Sequence, residues 1–185
     1  PMIDLPHRLR ALRRQQSLSL EQLGERTGLT KSYLSKLERG LSEPSISTVL
    51  RLAEAYGVGV SQLVGGDSAA QDEVVSLVRV ADREILQRRG LGSEYRYESL
   101  AGRRKVKAME PFVVHPPREF PDATAVFPHP GEEFLLVLAG AIEVQVGERE
   151  FRLDAGDSLY FDSELPHRMR TVSRGAAEVL VVAAH

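Results

Sequence analysis

Residues 18–40, LSLEQLGERTGLTKSYLSKLERG, constrain this chain more than any other stretch, because they specify two short helices separated by only a few residues. Ser19 with Gln22 three positions later forms a capping box, in which hydroxyl and side-chain amide each satisfy a free backbone donor of the other. Leu20, Leu23 and Arg26 keep helical spacing up to Gly28, which suits a left-handed closing residue, and Thr30 caps a second helix predicted from Lys31 to about Arg39. On that second helix Leu34 and Leu37 fall on one side with Tyr33 at the margin. Lys31, Ser32, Ser35, Lys36 and Arg39 spread over the other. This outer face has donors, small side chains and no carboxylate. Lysines of that kind meet guanine acceptors or phosphates, and serines allow close approach to base edges. A merely solvated amphipathic helix is the plain alternative.

Charge divides unevenly along the chain. The 185 residues carry a formal −2, but residues 1–66 hold nine Lys or Arg against six Asp or Glu, a net +3, and residues 67–185 hold fifteen against twenty, a net −5. Positive charge thus accompanies the two-helix segment, as expected if one half meets phosphate and the other does not. A net +3 implies modest affinity for one module, so two are expected to act together in a homodimer. The length suits two small domains: residues 1–66, a linker at 67–75 inside the polar run after Gly65 and Gly66, and residues 76–185. The absence of cysteine removes disulfides, thiolate metal sites and cysteine nucleophiles. No signal peptide and no apolar run of membrane-spanning length is found, so no membrane partner is expected.

Beyond the linker the period changes. VVSLVRV, EYRYESL, KAMEPFVV, EEFLLVLAG, AIEVQVG, REFRLDAG, SLYFDS, HRMRTVS and AEVLVVAA are short, rich in β-branched and aromatic residues, and divided by Gly, Pro and Asp. Many short strands at this spacing predict a sandwich or barrel. ADREILQRRG fits a short helix or an edge strand equally well.

The two-helix stretch resembles the helix-turn-helix of the lambda-repressor-like, or XRE, family of bacterial regulators. The resemblance covers roughly residues 5–65, including LPHRLRALRRQQSLSL, the ending LSKLERG, and EPSISTVLRLAEAYGVGVSQLV. It implies a five-helix bundle whose second motif helix lies in the major groove of double-stranded operator DNA. Carried over by position, Lys31, Ser32, Ser35 and Lys36 become base-facing candidates. Thr30, Tyr33, Arg39, Ser42 and Ser45 become phosphate contacts. Many members hold a phosphate with glutamine just after the first cap, where this chain has Leu20. A cytoplasmic location in a bacterium follows from this resemblance.

In the second half, His129 and Glu133 stand four apart, which gives them the same parity on an extended segment, and His167 opens another strand after the turn DSELP. Two histidines and a carboxylate suffice for a divalent metal, iron in a facial arrangement above all. Ordinary polar surface is the alternative. Residues 129–140 and 156–171 resemble the two signature motifs of the cupin family, which implies an antiparallel double-stranded β-helix barrel. His129, Glu133 and Gly140 match the first motif, with Phe127 where the family has another histidine. Gly156 and His167 match the second, while Asp162, Glu164 and Thr171 depart from it. The resemblance makes His129, Glu133 and His167 a reduced ligand triad for iron, zinc, nickel or manganese. It also makes Tyr95, Tyr97, Phe127, Tyr160 and Met169, with the triad, walls of an effector pocket. Arg168 and Arg170 have the opposite parity to His167 and are expected to point outward.

The two resemblances together imply a dimeric DNA-binding transcriptional regulator, not an enzyme, whose barrel senses a small-molecule effector. The rival is an iron-dependent epoxidase of the hydroxypropylphosphonate type, with the same layout, triad and Tyr-x-Tyr. That family needs a lysine near the position of Ser17, where none is present. A third possibility is a barrel that only pairs subunits or docks a protein.

Overall fold

The computed structural model describes residues 4–64, 74–86, 95–104, 107–121 and 128–184. Among these residues five α-helices come first: α1 (Leu5–Gln15), α2 (Leu20–Thr27), α3 (Lys31–Glu38), α4 (Ile46–Tyr56) and α5 (Val60–Val64). Their boundaries follow from local chemistry. The Ser19 hydroxyl accepts from the Gln22 N–H at 3.1 Å while the Gln22 side chain accepts from the Ser19 N–H at 2.9 Å, so the capping box is complete. Gly28 closes α2 at φ 67°, in the left-handed region that glycine enters without a Cβ penalty. Thr30 then caps α3 by accepting from the Tyr33 N–H, and Ser45 caps α4 by accepting from the Thr48 N–H. Leu9, Leu23, Leu34, Leu37, Leu52 and Leu63 are each no more than 2 % exposed and form the helical core.

Among the described residues nine strands follow: β1 (Glu84–Ile85), β2 (Arg96–Ser99), β3 (Met109–His115), β4 (Glu132–Ala139), β5 (Ala141–Val146), β6 (Arg149–Asp154), β7 (Ser158–Asp162), β8 (His167–Thr171) and β9 (Glu178–Ala184). They make a six-stranded sheet in the order β1-β2-β3-β9-β4-β7 and a three-stranded sheet in the order β6-β5-β8, with every pairing antiparallel. Buried residues of both sheets and of the helices join in one apolar cluster running from Leu5 to Ala183. The motif glycine at position 140 has φ 74°, and a Cβ there would stand 2.7 Å from the Ser173 hydroxyl and 3.0 Å from the Ala176 carbonyl. Glycine is therefore required where β4 turns into β5.

One predicted strand is absent. In VVSLVRV, residues 74–79 form no helix or strand and Val80–Asp82 is a single 3-10 turn. Val74, Val75, Leu77 and Val80 are 84 %, 83 %, 58 % and 75 % exposed. β-branched composition alone does not make a strand without a partner edge to bond. ADREILQRRG resolves into that turn followed by the two-residue edge strand β1, with residues 87–90 outside the described residues.

Among the described residues, two sets of polar contacts fasten the helical part to the barrel. The Glu110 carboxylate, on β3, accepts from the Val60 N–H at 3.0 Å and so satisfies a free donor at the start of α5. Lys107 stands 2.7 Å from the same carboxylate, with both side chains almost fully buried. At the other place, Arg51 of α4 donates to the Thr27 carbonyl at 3.1 Å with Nη1 and to the Pro128 carbonyl with Nη2.

Candidate functional site

Helix α3 presents the surface predicted for it. Leu34 and Leu37 are buried against α1 and α2, while Lys31, Ser32, Lys36 and Arg39 are exposed and Tyr33 and Ser35 are half-buried at the edge. Arg13 of α1 holds Glu38 through a two-point pair at 2.6 and 2.9 Å, with side chains 15 % and 8 % exposed. That pair consumes the one carboxylate of α3 and fixes the helix to α1. Lys31 is engaged by Glu21 of α2 in an ion pair whose side chains are both more than half exposed. A phosphate approaching Lys31 therefore competes with a neighbouring carboxylate that the α3 face alone did not reveal. Arg39 donates to the Ser35 carbonyl at 3.2 Å, Thr30 is occupied as a cap, and Ser42 is half-buried in the loop before α4.

In the barrel, His129, Glu133 and His167 converge, with one ligand atom from each lying within 4.8 Å of the others. His129 precedes β4 in the loop, where its N–H donates to the Ser163 carbonyl. Glu133 is on β4, between Phe161 of β7 and Ala183 of β9, and His167 opens β8. His129 Nδ1 lies 3.1 Å from the Pro130 carbonyl, and His167 Nδ1 lies 2.8 Å from the Leu165 carbonyl. A carbonyl only accepts, so each Nδ1 carries the proton. Both Nε2 atoms then face the same Glu133 oxygen, at 2.7 and 3.5 Å. Neutral rings would aim two lone pairs at a carboxylate, an arrangement resolved by extra protons or by a cation among the three. Backbone acceptors that fix the outer nitrogen are what a metal-ligating histidine needs.

The electrostatics agree with close coupling. Burial alone would push the Glu133 carboxyl up, but hydrogen bonds and charge from His129 and His167 outweigh it and hold the group well below the ordinary carboxylate range. Burial likewise pulls His167 down. Glu133 and the Leu165 carbonyl overcome that and leave it above its ordinary value.

These three residues line a cavity of about 330 Å³. The register explains its walls, since residues directly opposite on paired strands share a face. Tyr97 pairs with Val114, Phe112 with Val181, Leu135 with Val181, and Val144 with Met169, and all of these reach the cavity. Tyr95 also lines it, with its hydroxyl bonded to the Met169 backbone N–H and carbonyl, both at 2.9 Å. Tyr160 does not belong there. It is 61 % exposed, and its β4 partner is Phe134, so the one-residue offset gives the inner face to Phe161. Phe127 lies outside the described residues.

The sequence reading missed one wall entirely. Ser45, Ile46, Ser47 and Leu50, from the first turns of α4, line the same cavity. Ser45, expected at a phosphate, has its hydroxyl engaged in capping α4 and faces the barrel. No local signal in a helix identifies what a distant domain packs on it. Arg168 also departs from its expected outward direction. It donates to Gln145 at 2.7 Å and to the Pro121 carbonyl at 2.9 Å, crosses the Phe120 ring at 4.8 Å, and forms part of the cavity wall. Arg170 does turn to Glu143 instead.

The helix-turn-helix family model matches residues 9–63, and the cupin domain model matches residues 112–183. The HTH-type transcriptional regulator PuuR of Escherichia coli is 27 % identical over 94 % of this chain and 90 % of its own length. The HTH-type transcriptional regulator DdrOP3 of Deinococcus deserti is 31 % identical over 50 % of this chain and 71 % of its length. In fold, the crystal structure of an HTH_3 family transcriptional regulator from Vibrio cholerae matches with a TM-score of 0.67 at 21 % identity, covering 98 % of this chain and 94 % of that one. With the capped α2–turn–α3 unit followed by a two-sheet barrel that carries both cupin motifs, the chain belongs to the XRE-like helix-turn-helix family of DNA-binding transcriptional regulators, in the form that bears a C-terminal cupin domain.

Proposed function

We propose that this regulator reads operator DNA as a homodimer through Lys31, Ser32, Ser35 and Lys36 of α3, and that a small-molecule effector in the barrel cavity sets its DNA affinity. Residues 1–66 are the reading head and residues 76–185 the sensing and pairing domain, acting in the cytoplasm. Supporting phosphate contacts come from Thr30, Tyr33, Arg39 and Ser42. The observation that carries this reading is the cavity itself, with a largely apolar wall and a convergent His129, Glu133 and His167 set, in a chain whose α3 exposes Lys31, Ser32 and Lys36. Iron, zinc, nickel or manganese fits that donor set, two imidazole nitrogens and a carboxylate oxygen, with positions left open for a ligand. Such an ion would supply a Lewis-acidic anchor for an effector oxygen. The chain's own residues hold the site in shape: Pro130 and Leu165 orient the rings, and Phe161 and Met169 exclude water.

The test is selection of a duplex from a random pool by the full chain, followed by titration of the selected duplex with protein purified with and without chelator. A sequence with two half-sites about one helical turn apart, bound as a dimer in sedimentation, is the expected result. Failure to enrich any sequence would overturn the operator assignment. Elemental analysis beside His167→Ala checks the metal independently, with near-stoichiometric metal in the parent lost in the variant.

A further inference from the structure

The cavity is built by both domains: Ser45, Ile46, Ser47 and Leu50 of the helical part face a barrel wall that is largely apolar apart from the His129, Glu133 and His167 set, two tyrosines and Arg168. Ser47 is 9 % exposed and lines the cavity, and its hydroxyl makes no hydrogen bond among the described residues. A hydroxyl that borders a cavity and has no protein partner is open to a ligand. It sits in the first turn of an eleven-residue helix whose cap, Ser45, already serves the Thr48 N–H. The N–H groups of Ile46 and Ser47, ahead of the first intrahelical bond, lie at the same end.

Charge narrows what can dock there. The one carboxylate in the cavity wall among the described residues is Glu133, and both histidines already engage it. Arg168 adds a guanidinium to the same wall. An ammonium ligand would find no free counter-charge, whereas an anion would find a helix N-terminus and a free hydroxyl on α4, in a cavity whose barrel-borne lining carries the Arg168 cation held by Gln145 and Pro121. The rest of the lining, Ile46, Leu50, Phe112, Leu135, Val144 and Val181 among others, suits an apolar stem.

We infer that the cavity takes a small organic carboxylate with an apolar body, and that Ser47 and the first turn of α4 bind its carboxylate directly. The inference rests on the proposal that the cavity is an effector site, and it gives that site a ligand class and a second domain. The ligand then touches the helix whose Arg51 grips the Thr27 carbonyl at the end of α2, beside the turn into α3. Occupancy is thereby read by the DNA-binding domain at first hand rather than through the barrel alone.

The experiment is calorimetric titration of the full-length, metal-free protein with straight-chain carboxylates of four to ten carbons and benzoate, beside the matched amines and alcohols, with operator affinity measured on the same samples. Saturable binding of carboxylates in preference to both control series is expected, and Ser47→Ala should weaken it about tenfold or more, the loss of one hydrogen bond to a charged group. The same variant should keep its melting temperature and its operator affinity without probe. Equal or better binding of amines or alcohols overturns the carboxylate assignment while leaving an effector site. Carboxylate binding unchanged in Ser47→Ala overturns the α4 contribution. Binding of no probe overturns the inference, and retained operator binding in those samples leaves the DNA-binding assignment standing.

Discussion

Lys31 and Lys36 look equivalent in sequence, yet the fold treats them differently. Glu21 shields Lys31, whereas Lys36 is exposed and has no acidic partner among the described residues. Replacing Glu21 with Gln should therefore raise operator affinity several-fold at low salt, by freeing one cation for phosphate. Lys36→Ala should lower affinity and reduce the slope of log affinity against log salt by about one. Anisotropy titrations across a salt series would check both, and an unchanged slope in Lys36→Ala would remove that residue from the interface. The triad makes a pH prediction. Glu133 is held below its ordinary 4.5, so its stabilising contribution is complete above that value and lost as pH falls through the lower folded one. His167 is held above its ordinary 6.5, so its contribution is complete below that value and lost as pH rises through the higher folded one. Metal-free protein should thus gain most from the pair between about 4.5 and 6.5. Melting curves in chelator should show His167→Gln losing most stability inside that window, with the loss shrinking as pH rises beyond it; a loss that does not shrink with rising pH would refute the assignment.

At the scale of elements, α3 is held by burial and by one buried ion pair, with the exposed Lys31–Glu21 pair beside it. Arg13 and Glu38 join α1 to α3 with little solvent contact. Arg13→Met leaves a buried carboxylate unpaired and should cost about 3–5 kcal/mol in urea unfolding, with Glu38→Gln in the same background recovering part of it. No recovery would mean that packing, not charge, fastens the helix. The helix boundaries were legible because caps act over three or four residues: Ser19, Gln22, Gly28 and Thr30 carry their own instructions. Most strands were legible for a similar reason, through β-branched runs ended by turn residues. VVSLVRV had the composition and no partner. Tyr160 had the aromatic character and the wrong parity, since its register on β4 turns it to solvent and Phe161 inward.

Across the whole molecule, Arg51 joins the end of α2 to the loop that carries His129, by way of Thr27 and Pro128. Two domains fastened by so direct a contact should share their free energies, and the coupling is the difference in DNA affinity between the two states of the barrel. Arg51→Ala should shrink the difference in operator affinity between metal-free and metal-loaded protein, while His167→Ala removes the metal itself. An undiminished difference in Arg51→Ala would show that the signal travels elsewhere, through Glu110 and α5 or across the dimer.

Whatever depends on neighbours a few residues away was determined by sequence alone: the caps and turn of the α2–α3 unit, the basic and serine-bearing face of α3, and the shared parity of His129 and Glu133, whereas His167 joins them only through the fold. The tertiary structure decided which groups answer them. Glu21 reaches Lys31 from another helix, Phe161 replaces Tyr160 through strand register, and Ser47 faces the barrel because two domains pack. Sequence spacing carries the helical and strand periods, but contacts between distant elements arise from burying one shared apolar surface, and that surface exists only when the whole chain is folded.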